Sequence, residues 1–427
     1  MKNLPVANGL RLLGNPSTIH QRLLEWSGRY GPLYRFNLFG RPFVVVSETQ
    51  AVQRILRERP DGFRRLSAIE SVLTEMGVDG LFAVEGEEWQ RRRRLVTPAF
   101  TPNRLRGLDD TVDVITDRLA RRWRKDPVED VHADLMRFTV DVMARVAFGY
   151  DLNTLEGGGN AIEERLQRLF PMIGKRVNAP VPYWRYVKLP ADRALDRALR
   201  ELREDVDAVI ATARTAETPT NFVEALIQQH EDSEAFTAAE LFAESLTVLV
   251  AGQDTTANTL AWLLYHLAQH PEVRERIRAE SAEEKRPYLA AVIAESMRLL
   301  PISPFLFLES LRPYVIDDTE VPAGTAVIVL PGHGAVDEAN FDDPEAFRPE
   351  RWLTGYTGTH NAKASMPFGG GPRFCPGRSL ALLEIEAVAT MVCRDFELSL
   401  PTPHVPPRER FTFAVEPVGL RLLLTAR

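Results

Sequence analysis

The run Phe368-Gly369-Gly370-Gly371-Pro372-Arg373-Phe374-Cys375-Pro376-Gly377 places one cysteine in a glycine-rich loop, directly ahead of the helix-forming segment Arg378 to Glu384. Glycines accept backbone conformations that other residues resist and let amides approach a neighbour closely. Pro376 suits a first helical position, which would aim the positive end of the helix dipole at the Cys375 sulfur. A thiol so placed ionises below its ordinary pKa of about 8.5, and amide donors around a metal-bound sulfur tune its potential. The loop is therefore a candidate site for a metal-bound thiolate, with Arg373 able to pair with an acidic group of a bound cofactor. The competing reading of a lone cysteine is a small buried hydrophobe, and it fits Cys393 within Met391-Val392-Cys393.

The spacing Phe368-x-x-Gly371-x-Arg373-x-Cys375-x-Gly377, continued by Ala381 and Glu384, resembles the haem-binding loop of the cytochrome P-450 family of haem-thiolate monooxygenases. The resemblance implies haem b (iron protoporphyrin IX) as cofactor, Cys375 as axial iron ligand, Arg373 as a propionate partner, and Phe368, Gly377 and Ala381 beside the haem. It also implies a mainly α fold with a smaller β portion. The haem then lies between a long central helix and the helix that follows the cysteine.

At 427 residues the chain has room for one large domain or two or three ordinary ones. No internal repeat or low-complexity linker marks a boundary, so a single domain over 1–427 is expected. Strand-like patterns fall near 33–46, 312–330 and 396–427, with Leu33–Phe39 and Pro42–Val46 reading as a hairpin around Gly40. Phe411–Val415 and Leu420–Leu424 read as a second hairpin, and residues 48–300 are mostly helical in pattern. The net charge of -7 argues against a general nucleic-acid binder. Two cysteines offer no disulfide framework, which fits a cytoplasmic protein. Met1–Ser17 is too broken by proline and glycine for a signal peptide, and no apolar run reaches the roughly 18 residues of a membrane anchor. The stretch after Cys375 is too short for a fused reductase, so electrons are expected from a ferredoxin or flavodoxin and its reductase, acting on a monomer.

Ala239 to His270 reads as one helix ended by Pro271, about 48 Å long at 1.5 Å per residue. Its middle is Ala251-Gly252-Gln253-Asp254-Thr255-Thr256. Glycine there costs about 1 kcal/mol, and threonine hydroxyls that bond back to the preceding turn bend helices. One reading is a glycine for close packing beside a surface Asp-Thr-Thr. The other is similarity to the oxygen-binding groove of the same family. That resemblance implies a local widening at Ala251 and Gly252 over the iron, a Thr255 hydroxyl that hydrogen-bonds bound dioxygen, and an Asp254 carboxyl that feeds protons inward. Cleaving an O–O bond requires protons, which hydroxyl and carboxyl relays deliver, and a thiolate on the opposite face favours the same cleavage. His266 and His270 share a face further on, but without a third ligand at zinc spacing they read as a core or surface pair.

Glu295 and Arg298 share a helical face, as do Glu88/Arg91 and Glu275/Arg278. Only the Glu295 copy precedes a proline-broken β segment and Phe347-Arg348-Pro349-Glu350-Arg351-Trp352. The resemblance implies that Glu295, Arg298 and Arg351 form a buried network locking the cysteine loop. It likewise matches Trp89 and Arg93 to a pair that reaches the haem propionates. Arg91, Arg92 and Arg94 read as a solvated face, and as a basic patch for an acidic electron donor. Leu308 stands where many relatives place a propionate partner; Arg312 lies four residues further on.

The expected reaction inserts one atom of O2 into an apolar substrate such as a fatty acid or terpenoid, with electrons from NAD(P)H. Ile69–Val84, the stretch from Phe170 to Leu189, Ile302–Leu308 and Pro417-Val418 are where the family would line its substrate cavity. The alternatives are a peroxygenase using H2O2 and a haem-thiolate sensor.

Overall fold

A computed structural model describes the chain except residues 1–3, 101–108, 126, 127, 129, 158–164, 166–168, 170, 171, 177, 178, 180, 215–218, 229–235, 281, 282 and 284. The chain divides into two compact units. One comprises Met1–Ser67, Asn258–Cys375 and Val392–Leu423; the other comprises Ala68–Ala257, Pro376–Met391 and Leu424–Arg427.

The first unit is built on a six-stranded sheet. Its order is β1 (Val6–Ala7), β2 (Leu33–Leu38), β3 (Arg41–Val46), β8 (Ala326–Val329), β5 (Leu306–Ser310), β4 (Phe63–Arg65). β2 and β3 form the hairpin expected from sequence, with Leu38 opposite Arg41. Phe39 and Gly40 close it at φ of 50° and 77°, the left-handed pair of a two-residue turn whose twist matches the strands. Pro42 donates no hydrogen bond, and the parallel ladder from β3 to β8 begins only at Phe43. β6 (Tyr314–Ile316) and β7 (Thr319–Val321) make a separate hairpin.

Because side chains alternate along a strand, the sheet buries both faces. Trp26 of α1 (Ile19–Tyr30) covers one face, against Phe36 at 5.8 Å, and Phe36 stacks on Phe43 at 5.1 Å. On the other face Val44, Val46, Val327, Val329, Leu308 and Phe63 pack with Ala51, Val52, Ile55 and Leu56 of α2 (Thr49–Arg57). Each such aliphatic side chain contributes roughly 1.5–3 kcal/mol when fully buried. Glu48 caps α2 by accepting from the Gln50 and Ala51 amides.

The second unit is helical. It contains most of α3 (Ser67–Glu75), with α4 (Gly86–Val96) and the helices Asp109–Lys125, Val131–Phe148, Pro190–Ala213 and Phe222–Gln228. Val131–Phe148 starts at Asp130, whose carboxylate accepts from the Ala133 amide. It ends at Gly149, left-handed at φ 70°, the usual helix stop. Asp134 on this helix accepts from Arg122, Arg137 and the Trp123 indole, tying it to Asp109–Lys125.

The central helix runs Ala238–Gln269, within a residue of the expected span. Thr237 and Glu240 make a reciprocal cap: the Thr237 amide donates to Glu240 at 2.6 Å and the Glu240 amide to the Thr237 hydroxyl at 3.2 Å. The loop helix Arg378–Asp395 starts two residues after Pro376, later than expected, because Gly377 caps it by accepting from the Ala381 amide at 3.0 Å. β9 (Phe396–Ser399) follows. The second expected hairpin is out of register. The strands are β10 (Arg408–Phe411) and β11 (Val415–Val418), so Phe411–Val415 is the closing turn, and the Thr412 amide donates to Ala414 O within it.

Candidate haem-thiolate site

In the first unit the cysteine loop rests on the end of α2. Met366 packs against the α2–sheet core, and the Gly369 amide donates to Met366 O at 2.9 Å. Gly369 and Gly371 are left-handed, at φ 72° and 67°. Gly371 leaves no room for a side chain, since a Cβ there would lie 2.0 Å from the Leu56 carbonyl oxygen. The loop closes where the Cys375 amide donates to Phe368 O at 3.0 Å. Phe368, Arg373 and Cys375 are half-buried, whereas Cys393 is fully buried.

Behind the loop lies the Glu295 network. Glu295 accepts from Arg298 through Nε and Nη2, both at 2.8 Å, from Arg351 Nε at 3.0 Å, from the Arg348 amide at 2.9 Å and from the Trp352 indole at 2.9 Å. Arg298 also donates to Ala335, Pro344 and Ala346 carbonyls, and Arg351 to those of Asp342 and Asp343. All three charged groups are buried. Burial alone would raise the Glu295 carboxyl, but Arg298 and the further donors outweigh it and hold it below the ordinary range. Ionic groups at this depth persist only when every donor and acceptor is used.

The network reaches the loop through α2. Asn340, inside the braced segment, donates to the Thr49 hydroxyl at 3.1 Å and accepts from Asn361 at 2.8 Å. Thr49 begins α2 and Leu56 near its end abuts Gly371. One helix thus links bracing and loop. The other two Glu-x-x-Arg copies, Glu88/Arg91 and Glu275/Arg278, form ion pairs with a far more exposed glutamate.

In the second unit the central helix stays α-helical through Ala251–Thr256. The Thr255 hydroxyl donates to Ala251 O at 2.7 Å. Gly252 faces the helix Val131–Phe148, and a Cβ there would lie 2.3 Å from Met143 Sδ. Close packing, the first of the two readings given above, is therefore a reason for this glycine. Asp254 is buried. Gln253 is fully buried, with neither amide atom hydrogen-bonded among the described residues. Glu384 of the loop motif is buried; burial pushes its carboxyl well up, and its Oε2 has no partner among the described residues. Ala381 and Gly377 are half-buried. On α4, Trp89 is buried and Arg93 half-buried one turn on.

Two expectations, on Arg92 and Arg91, need correction. Arg92 is not solvated: it is 5% exposed and pairs with Glu88 and Glu244. Arg91 is half-buried against Glu88 and Glu240, leaving Arg94 as the exposed member of that trio. Leu308 is a core residue of β5, and Arg312 pairs with Glu58 at 2.6 Å on the surface. The histidines serve packing: His266 hydrogen-bonds Ser296 at 2.9 Å and stacks on Phe347, as does His270. Phe170 and Pro180, in one expected substrate-lining stretch, lie outside the described residues.

A haem suits this donor set. Cys375 offers one thiol on a loop fixed from behind, and among the described residues no cluster of three His, Cys, Asp or Glu could hold a metal ion. Iron held by Cys375 would need its other ligands from a bound group, as a porphyrin supplies them. Among the described residues no helix is long and apolar enough to cross a membrane.

The sequence profile of the cytochrome P-450 family matches residues 2–424. The chain is 28% identical to the mitochondrial 25-hydroxyvitamin D-1 alpha hydroxylase of Rattus norvegicus, over 94% of this chain and 88% of that one. It is 25% identical to the chloroplastic protein LUTEIN DEFICIENT 5 of Arabidopsis thaliana, over 99% and 82%. Among solved structures it superposes on the cytochrome P-450DA heme domain with a TM-score of 0.89 at 22% identity, covering 99% of this chain and 97% of that one. It superposes on a retinoic acid-bound cyanobacterial CYP120A1 with a TM-score of 0.86 at 24% identity, covering 99% of both. The cofactor is haem b and the chemistry that of an oxidoreductase: this chain belongs to the cytochrome P-450 family.

Proposed function

We propose that the protein is a monooxygenase that inserts one atom of O2 into an apolar substrate of terpenoid or fatty-acid type, with electrons from NAD(P)H delivered by a separate iron–sulfur or flavin protein. The observation that carries this reading is the Cys375 loop, closed by Phe368 O and seated on Leu56 through Gly371. Bound there, haem supplies oxygen activation with thiolate donation.

The chain's own residues do the rest. Cys375 holds the iron. By the family resemblance Phe368 and Arg373 in the first unit, and Trp89, Arg93, Ala251, Gly252, Gly377 and Ala381 in the second, are the residues that would hold the haem, with Arg93 and Arg373 as the propionate partners. Glu295, Arg298 and Arg351 hold the segment that braces α2 and so keep the sulfur in place. Asp254 and Thr255 move protons. The Thr255 hydroxyl gives its hydrogen to Ala251 O, so toward a further donor it acts through its oxygen as an acceptor.

An apolar substrate is supported by the aromatic and aliphatic character of Ile302–Leu308 and by two relatives, one named for 25-hydroxyvitamin D and one bound to retinoic acid. Purified holoprotein with a surrogate ferredoxin, its reductase and NADPH should consume O2 in step with a hydroxylated product from retinoic acid, dodecanoate or a terpenoid. The reduced carbon-monoxide complex should show a thiolate-type band. Product formed with H2O2 alone, and none with the electron-transfer chain, would replace this reading with a peroxygenase.

A further inference from the structure

The second unit contains a buried ionic clamp that none of the expected site residues belongs to. Its centre is Glu244, which is fully buried on the central helix and precedes Ala251 by about two turns. The Glu244 carboxylate accepts from the Leu81 amide at 3.0 Å and from Arg92 Nη1 at 3.2 Å, and the same Arg92 nitrogen donates to Asp79 O at 2.8 Å. Glu244 and Arg92 thereby hold the loop between α3 and α4 at two backbone points, on either side of Gly80. Gly80 itself lies flat on the helix, since a Cβ there would sit 2.3 Å from Thr247 Oγ1 and 2.7 Å from Ala243 O. Thr247 is one turn before Ala251, so the loop crosses the central helix one turn ahead of the residues assigned to oxygen handling.

We propose that Glu244 is a positioning residue for substrate selection: through the Leu81 amide and Arg92 it fixes the segment Leu81–Val84 beside the Ala251–Thr255 groove, and so sets which ligands fit there. This rests on the monooxygenase reading above. The charged groups facing Glu244 are Arg92 from α4, backed by Glu88 and Arg91, Asp79 from the loop, and Glu240 on its own helix. Burial outweighs Arg92 and pushes the Glu244 carboxyl up to about 7, so the clamp changes charge near neutral pH. Protonation removes one ionic partner of Arg92, the one that also holds the Leu81 amide, leaves it Glu88 and Glu240, and loosens the hold on the loop.

The test has two readouts on the holoprotein. Hydrogen exchange of the peptide spanning 78–84, corrected for intrinsic base catalysis, reads the clamp itself. Soret titrations with imidazole and with 4-phenylimidazole read the space over the iron with a small and a large ligand. The variants are Glu244→Gln, the paired apolar replacement Arg92→Met with Glu244→Leu, which leaves no charge unpaired, and Gly80→Ala, which lifts the loop by steric contact alone. Expected are exchange about tenfold faster or more, the scale of losing a charge-assisted hydrogen bond, a shift of similar size in the 4-phenylimidazole dissociation constant, and an imidazole constant within about twofold. In Glu244→Gln the dependence of exchange on pH between 6 and 8 should vanish. Unchanged exchange in all variants overturns the clamp. Faster exchange with both ligand constants unchanged overturns the selective role while leaving the monooxygenase reading intact. A holoprotein that gives no Soret response to imidazole removes the monooxygenase reading, and the selective role with it.

Discussion

Replacing Gly371 by alanine should damage the cysteine loop far more than the same change at Gly369, although both residues are left-handed, at φ 67° and 72°. A left-handed backbone costs an L-residue about 1–2 kcal/mol, and both variants bear that. They differ in what the new methyl group meets. At Gly369 there is nothing within 4 Å, whereas at Gly371 the Cβ would lie 2.0 Å from Leu56 O and 2.6 Å from Leu56 C. That carbonyl belongs to the last turn of α2, whose side chains are packed into the sheet core, so the loop must move instead. Overpacking of this kind costs a further 1–3 kcal/mol, roughly. Guanidinium unfolding at fixed haem saturation should therefore place Gly371→Ala about 1–3 kcal/mol below Gly369→Ala, and the thiolate-type carbon-monoxide band should weaken in the former only. Equal stabilities within about 0.5 kcal/mol, with both bands intact, would refute the argument that Leu56 seats the loop.

Cys375→Ser should abolish the thiolate-type band, whereas Cys393→Ser should leave it unchanged, as reduced carbon-monoxide difference spectra can check. Thr255→Ala and Asp254→Asn should each lower product formed per NADPH by about tenfold or more, since a positioned proton relay contributes roughly 10²-fold or more; full coupling in both variants would remove the relay. Burial holds the His266 imidazole neutral, down to about 3. Because its folded-state value lies below the unfolded one, the unfolded chain binds the extra proton, and stability falls as the pH drops below about 6.5. Between pH 6 and 4 the wild type should lose about 1.4 kcal/mol per unit relative to His266→Gln, measured by urea unfolding across that range.

Local signals in the sequence carried the parts of the site whose chemistry is written in adjacent residues. The cysteine loop, the Ala251–Thr256 segment and the Glu295/Arg298 pair each lie within a few positions. The central helix was readable because its apolar spacing persists from Ala238 to Gln269 and Thr237–Glu240 caps its start. Contacts between distant residues were not readable in this way. Arg92 looked like one member of an exposed basic run, since its partner Glu244 is 152 positions away. The spacing marked Gly371 as part of the loop motif but not what excludes a side chain there, because the obstruction comes from distant Leu56. The hairpin near the C-terminus was misplaced because Phe411 and Val415 have strand-like character while facing each other across a tight turn.

The approach of Met143 to Gly252 has a consequence for how this chain can diversify. A glycine that is hemmed in by one flexible thioether rather than by backbone is negotiable: its replacement by alanine becomes tolerable once the opposing side chain is shortened. Libraries that vary the two positions together should recover folded variants that single-site saturation at 252 discards, opening a route to reshape the middle of the central helix.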